Sequence, residues 1–214
     1  MAKFFVTGTD TNVGKTVAAT VLAVGLRARY WKPVQTGTED GRDSDFLARW
    51  IGPERVLAEA YAFPAPLSPD AAAAETGSEI ELLRIRPPTV AGAFVVEGAG
   101  GVLVPLNRDQ TMPDLMAHLG FPAVVVARAG LGTINHTLLT LESLRRRSLP
   151  VAGVIFMGEP RRSTVASVAH HSGAKVLGVI PICPSFSSGW FEESFRNLDF
   201  SSELNHDKNL GAQP

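Results

Sequence analysis

This sequence predicts a single-domain α/β fold: a doubly wound, mostly parallel sheet flanked by helices. Three observations carry that expectation. Short apolar runs recur along the chain: KFFVT (3–7), YWKPV (30–34), AFVVEG (93–98), AVVVAR (123–128), VAGVIF (151–156) and KVLGVI (175–180). Several are continuous rather than alternating, the pattern of strands covered on both faces. Helical patterns lie between them, and strand–helix–strand alternation implies crossovers joining parallel neighbours. Ligands in such sheets bind beyond the carboxyl ends of the strands. The loops after residues 7, 34, 97, 127, 156 and 180 are therefore the places to look.

In chain order, the strand at 3–7 feeds a glycine-rich turn and the amphipathic stretch GKTVAATVLAVGLRA. The strand at 30–34 leads to DSDFLARWIG, which opens on acids as helix starts do. Residues 52–92 are weaker. FPAPLSPDAAAAETG and RIRPPTVAG suggest loops around short helices, among them SEIELLRI. After the strand at 93–98 come MPDLMAHLG, INHTLLTLESLRRR and STVASVAHHSG, each a helical pattern followed by an apolar run or a turn. No repeat or linker divides the chain. Residues 1–200 are expected to form one domain, and 201–214, polar and ending Gly-Ala-Gln-Pro, a mobile tail.

Composition narrows the function. Of 214 residues, 45% are hydrophobic and 19% charged, which is globular rather than disordered. A formal net charge of −1 makes a poor general nucleic-acid binder. The one basic run, Arg145 to Arg147, closes a helical pattern where cations suit the helix dipole. Cys183 is the sole cysteine, so no disulfide forms within the chain and a reducing compartment fits. His170 and His171 read as surface or packing residues. No apolar run approaches the roughly 20 residues of a membrane span, and the first residues lack the apolar core of a signal peptide. A soluble cytoplasmic protein is expected, with no nucleic-acid or membrane partner.

The chemistry begins at GTDTNVGKTV. Gly8, Gly14, Lys15 and Thr16 fit G-x-x-x-x-G-K-[ST], with a strand before and a helix after. Glycines let the backbone approach a ligand in conformations other residues resist. The loop's N–H groups then converge on phosphate oxygens at a helix N-terminus. Lys15 would neutralise terminal phosphate charge and the Thr16 hydroxyl would ligate Mg2+. This is a P-loop NTPase signature, and alone it does not separate an enzyme from a switch.

Phosphoryl transfer also needs acids for the metal and a cation near the acceptor. Glu97 ends an apolar strand before a glycine turn, within reach of a metal beside the first loop. Lys32 interrupts an apolar run, which is unfavourable unless it meets an anion. Gln35, Thr36 and Gly37 follow it. Asp40, Asp43 and Asp45 cluster near a helix start, and local chemistry does not choose among them.

Taken together, VTGTDTNVGKT, KPVQTG, RDSD, VEGAGG and LGTINHTLLT resemble dethiobiotin synthetase in order and spacing, well over residues 3–145 and loosely beyond. The resemblance implies ATP-dependent closure of 7,8-diaminononanoate (diaminopelargonate) and CO2, or bicarbonate, into a cyclic urea. It runs through a carbamate and a carbamic–phosphoric anhydride. It implies Mg2+ held by Thr16, Asp45 and Glu97, with ATP as co-substrate. Lys32, Lys15 and Thr11 would be catalytic. Asn12, Val13, Gly14, Lys15, Thr16 and Val17, together with Gly98, Ala99 and Gly100, would contact the nucleotide. Pro181, Ile182 and Cys183 would flank its base. Thr36, Gly101 and the helix start Gly132, Thr133, Ile134 and Asn135 would contact the diamine. The last four would serve the partner subunit of a homodimer whose site lies at the interface. Two departures stand out. Met157 and Gly158 occupy positions where the family often has the Asn-Asp that reads adenine, which implies weak base selectivity. Asn12 stands where an acid is common.

Two other classes share the loop. Partitioning-type P-loop switch ATPases usually carry an early second lysine, absent from GTDTN. Amidotransferase-linked synthetases need a nucleophilic cysteine on a glycine-rich elbow, and Cys183 lies in a proline-rich turn.

Overall fold

The computed structural model describes residues 2–89 and 91–201. Seven strands form one parallel sheet: β1 (Lys3–Gly8), β2 (Arg29–Trp31), β4 (Val56–Leu57), β6 (Phe94–Gly101), β7 (Ala123–Arg128), β8 (Val151–Met157) and β9 (Val176–Ile180). Their order is β4-β2-β6-β1-β7-β8-β9. Two further short strands, β3 (Val34–Thr36) and β5 (Tyr61–Phe63), pair in parallel as a separate sheet. The chain runs outward from β1 in both directions, so the strand order reverses beside β1. This is the switch point where a crevice opens above the carboxyl ends.

The continuous apolar runs are explained by burial on both faces. Phe4 and Val6 of β1 enter one core and Phe5 the other. The first core lies under α1 (Lys15–Gly25), α2 (Asp43–Ile51) and α7 (Ser188–Arg196). The second is covered by α4 (Met112–Leu119), α5 (Thr133–Arg146) and α6 (Arg162–Ser172), and α3 (Pro69–Glu75) adds Ala72 and Ala73 at its edge.

Three expectations are refined. The run at 30–34 is not one strand. It breaks at Lys32–Pro33, because proline has no N–H for the ladder, and the chain resumes as β3 in the second sheet. Residues 52–92 hold the strands β4 and β5 as well as loops, and SEIELLRI yields only a 3-10 turn at Leu82–Arg84. The C-terminal helix α7 was not expected after residue 185, although Trp190, Phe191 and Phe195 carry its apolar side. Its Phe191 is fully buried against α1 and α2. The expected tail lies outside the described residues from 202 onward. Among the described residues, no helix is long and apolar enough to cross a membrane.

Candidate active site

The glycine-rich loop joins β1 to α1. Gly14 stands at the N-cap of α1 with φ 95°, a left-handed conformation with no capping side chain. A Cβ there would lie 2.9 Å from Met157 Cγ, so Met157 packs beneath the loop. Lys15 is buried, and its ammonium donates a hydrogen bond to the Asp10 carbonyl at 2.9 Å. Burial lowers its pKa to about 8; Glu97 opposes that shift and Lys32 adds to it.

Glu97 lies on β6 in the register row of Val6 on β1, with its side chain 1% exposed. A carboxylate taken from water costs several kcal/mol unless its oxygens are met, and here they are. Thr16 Oγ1 donates to Oε1 at 2.9 Å and Tyr30 OH donates to Oε2 at 2.8 Å. Lys32 Nζ stands 3.5 Å from Oε1. Alternation along β2 puts Tyr30 and the following Lys32 on one face and Trp31 on the other. Accordingly, Tyr30 joins the core under α1 and Trp31 the opposite one.

The break at Pro33 leaves Lys32 at the strand end, where its ammonium forms an ion pair with Asp43. Asp43 opens α2, and its N–H donates to Gln35 Oε1 at 3.2 Å. Gln35 in turn donates from Nε2 to the Thr36 carbonyl at 2.7 Å. The next residue, Ser44, donates to Glu59 at 2.5 Å, and Arg42 pairs with Glu59 at 3.1 Å. The start of α2 is thus tied on both sides, which fixes Asp43 beside Lys32.

Lys15, Thr16, Lys32, Gln35, Asp43 and Glu97 share one cavity of about 810 Å³ above the carboxyl ends of β1 and β6. Of the residues expected at the site, Thr11, Asn12, Gly14, Lys15, Thr16, Val17, Lys32, Thr36, Glu97, Ala99 and Gly100 line it. Val13, Gly98 and Gly101 do not line it. Val13 is buried beneath the loop, and a Cβ on Gly98 would meet the Phe5 ring at 2.8 Å. Asp45, expected at the metal, is exposed and off the cavity, and Asp43 lines it instead. Two residues along a helix turn the side chain by about 200°. The buried Leu47 and Ile51 mark the inward face one and two turns after Asp43.

Gly132 to Asn135 begin α5 away from this cavity. Leu131 just before them is fully exposed, and Thr133 is buried. Pro181, Ile182 and Cys183 also lie off it. Ile182 is exposed, and the Cys183 thiol donates to the Ser185 carbonyl at 3.0 Å. Sequence reasoning missed Tyr30 and the wall formed by Pro66, Leu67, Ser68 and Pro69. Alternation from Lys32 could have found the first, but nothing local signals the second.

The donor set suits a hard divalent cation. Glu97, Asp43 and Thr16 bring oxygens to the cavity, with Lys32 paired to both carboxylates, and Mg2+ takes one or two carboxylates and completes its shell with phosphates and water. Among the described residues, no group of three or more His, Cys, Asp or Glu is placed to hold a metal ion.

The lowered pKa of Lys15 predicts proton uptake on nucleotide binding. A bound triphosphate favours the charged ammonium, so its pKa rises from about 8 when phosphate arrives. At about pH 9 the empty site holds mostly neutral Lys15 and the filled one charged Lys15, while near pH 7 both are charged. Calorimetry in buffers of different ionisation enthalpy should show uptake of a large fraction of a proton at the higher pH and almost none at the lower. Equal uptake at both would contradict it.

A family model described as "AAA domain" matches residues 2–188. The ATP-dependent dethiobiotin synthetase BioD of Paramagnetospirillum magneticum is 47% identical over 188 residues, 88% of this chain and 92% of that protein. The enzyme of the same name from Novosphingobium aromaticivorans is 45% identical over 208 residues, 94% of this chain and all of the relative. Among solved structures, a ParA family ATPase from Chlorobium tepidum matches with TM-score 0.55 at 14% identity, covering 99% of each chain. The cell division ATPase MinD of Pyrococcus furiosus matches with TM-score 0.56 at 15% identity, covering 92% of this chain and 98% of its own. Likeness at that identity speaks for the P-loop fold alone.

Proposed function

The chain belongs to the ATP-dependent dethiobiotin synthetase family, and from that membership we propose that it closes a cyclic urea from 7,8-diaminononanoate and CO2 at the expense of ATP. One amine takes up CO2 to give a carbamate. A carbamate oxygen attacks the γ-phosphorus of ATP, forming a carbamic–phosphoric anhydride and releasing ADP. The second amine then attacks the anhydride carbonyl, and the C–O bond to phosphate breaks. Dethiobiotin and inorganic phosphate leave. Phosphorylation is needed because a carbamate oxygen is otherwise a poor leaving group.

The observation that supports this reading is the meeting of Lys15, Lys32, Thr16, Asp43 and Glu97 on one cavity. The loop N–H groups and Lys15 hold the terminal phosphates. Lys32 faces the gap between the loop and the acceptor, where it offsets charge on the carbamate and on the phosphoryl group in flight. Thr11 and Thr36 offer hydroxyls to the carbamate end. Ala99, Val104, Pro66 and Leu67 give the same cavity apolar surface for an aliphatic chain. Mg2+, held by Thr16, Glu97 and Asp43, would supply charge neutralisation at the β and γ oxygens. The helix start at Gly132 to Asn135, exposed at Gly132 and Asn135, lies off this cavity, and its N–H groups suit the far carboxylate of a diamine bound in a second copy. This supports a homodimer with the site at its interface.

The partitioning-type alternative shares the fold but not this sequence likeness. The test mixes protein, Mg2+, bicarbonate, diaminopelargonate and a panel of nucleoside triphosphates, and follows phosphate release and dethiobiotin. Phosphate release that needs the diamine is expected. With the Met157 side chain packed under Gly14 and Gly158 bearing none, triphosphates other than ATP should support turnover within about tenfold, the range one modest contact controls. Phosphate release without the diamine, or none with it, would overturn the ligase reading. Strict use of ATP would show that the base is read elsewhere.

A further inference from the structure

We propose that Tyr30 is a positioning residue for the metal-binding carboxylate of Glu97. This rests on the reading above that Glu97 is a metal ligand. The two oxygens of Glu97 have different surroundings. Oε1 meets Thr16 at 2.9 Å and Lys32 at 3.5 Å on the cavity side. Oε2 is turned inward, where Tyr30 OH donates to it at 2.8 Å.

The terminal torsion of a glutamate is broad and two-fold, so nothing within the side chain chooses its orientation. The tyrosine chooses it. Its ring is fully buried with Leu47 of α2 and Val95 of β6 in the same apolar core, so the hydroxyl sits on a rigid arm. Burial, with the carboxylate beside it, pushes the phenol pKa up and keeps it a donor. With Oε2 pinned, Oε1 presents its lone pairs to the cavity. A phenylalanine would fill the same space, yet leave Oε2 as a buried acceptor without this donor. The carboxylate would then rotate towards Lys32 or Thr16 and hold a cation less well. Outer partners that orient a ligand in this way typically change metal affinity by about 10- to 100-fold.

The experiment measures Mn2+ affinity of the enzyme–nucleotide complex by electron paramagnetic resonance, alongside nucleotide affinity without metal. Tyr30→Phe should weaken Mn2+ by about 10- to 100-fold and leave metal-free nucleotide affinity nearly unchanged, with a lower melting temperature because a buried carboxylate oxygen loses its donor. In a Glu97→Gln background the same substitution should add little, because the two act through one group. A second measurement does not depend on that variant folding. The chain has two tyrosines, so Tyr61→Phe leaves Tyr30 alone. Its ultraviolet resonance Raman bands should shift on Mn2+ addition, and not in Tyr61→Phe/Glu97→Gln.

Glu97→Gln that weakens Mn2+ while Tyr30→Phe does not would overturn the positioning role alone. Additive effects, or Raman bands that ignore the metal, would overturn it too. Mn2+ affinity untouched by Glu97→Gln would overturn the metal-ligand reading and this inference together.

Discussion

Lys32→Ala should lower kcat by about 10²- to 10³-fold, the usual cost of removing one preorganised donor at a developing negative charge. It should change nucleotide affinity by less than about threefold, because the phosphates are held by other groups. The division follows from where the lysine sits. Lys15 and the loop N–H groups belong to the β1–α1 turn, whereas Lys32 stands at the end of β2 between Asp43 and Glu97. Losing Lys32 leaves two carboxylates facing each other without the ammonium that separates them. Like charges so placed bind a cation more readily, so the variant should hold Mn2+ at least as well as the parent enzyme. Low turnover with intact nucleotide and metal binding is the signature of a group that acts on the transferring phosphoryl. Lys32→Arg should not restore the rate, since a planar fork cannot replace a compact ammonium in a buried gap. Binding isotherms with and without Mn2+, set beside single-turnover phosphate release, check this. An equal loss of nucleotide affinity would place Lys32 in binding instead.

Much of this molecule was legible because its signals are local. A strand buried on both faces writes itself as an unbroken apolar run, and Phe4, Phe5 and Val6 show why: successive side chains enter different cores. The phosphate loop is legible because backbone geometry demands glycine at Gly14. Where the chain was misread, a non-local fact decided. The run at 30–34 looked continuous, but Pro33 could not join the ladder, and β3 found its partner 27 residues away at Tyr61. α7 is held by its own Phe191 and the adjacent Phe186 packing on Trp50 of α2, a partner about 140 residues away that the local sequence does not reveal. Tyr30 carried no site signal in the YWKPV run, and in most of its surface it is a core aromatic. Its single polar atom matters only because Glu97 lies across a strand pair.

Asp43 and Asp45 give the sharpest contrast to test. Both are acids in the first turn of α2, and a motif match alone favours the second. Asp43→Asn should cut turnover by about 100-fold at modest Mg2+, since metal charge stabilisation is worth several kcal/mol and each 1.4 kcal/mol is about tenfold. Added Mg2+ should recover part of that loss, because the amide keeps one oxygen but not the charge. Asp45→Asn should leave turnover within about twofold and stability within about 0.5 kcal/mol, as for most exposed positions. The reason is the helix itself. Leu47 and Ile51 must face the core, so the residue one turn before Leu47 is carried over the cavity, and the residue two after that points to solvent with Arg49. Gln35 accepts the Asp43 N–H and Glu59 receives Ser44, so the helix cannot easily rotate to exchange the two acids. Magnesium titrations of kcat for both variants decide the matter. If Asp45→Asn proved the damaging change and Asp43→Asn the silent one, α2 would have to turn by about half a circle when substrates bind. The ion pair between Asp43 and Lys32 would then belong to a resting arrangement that catalysis breaks.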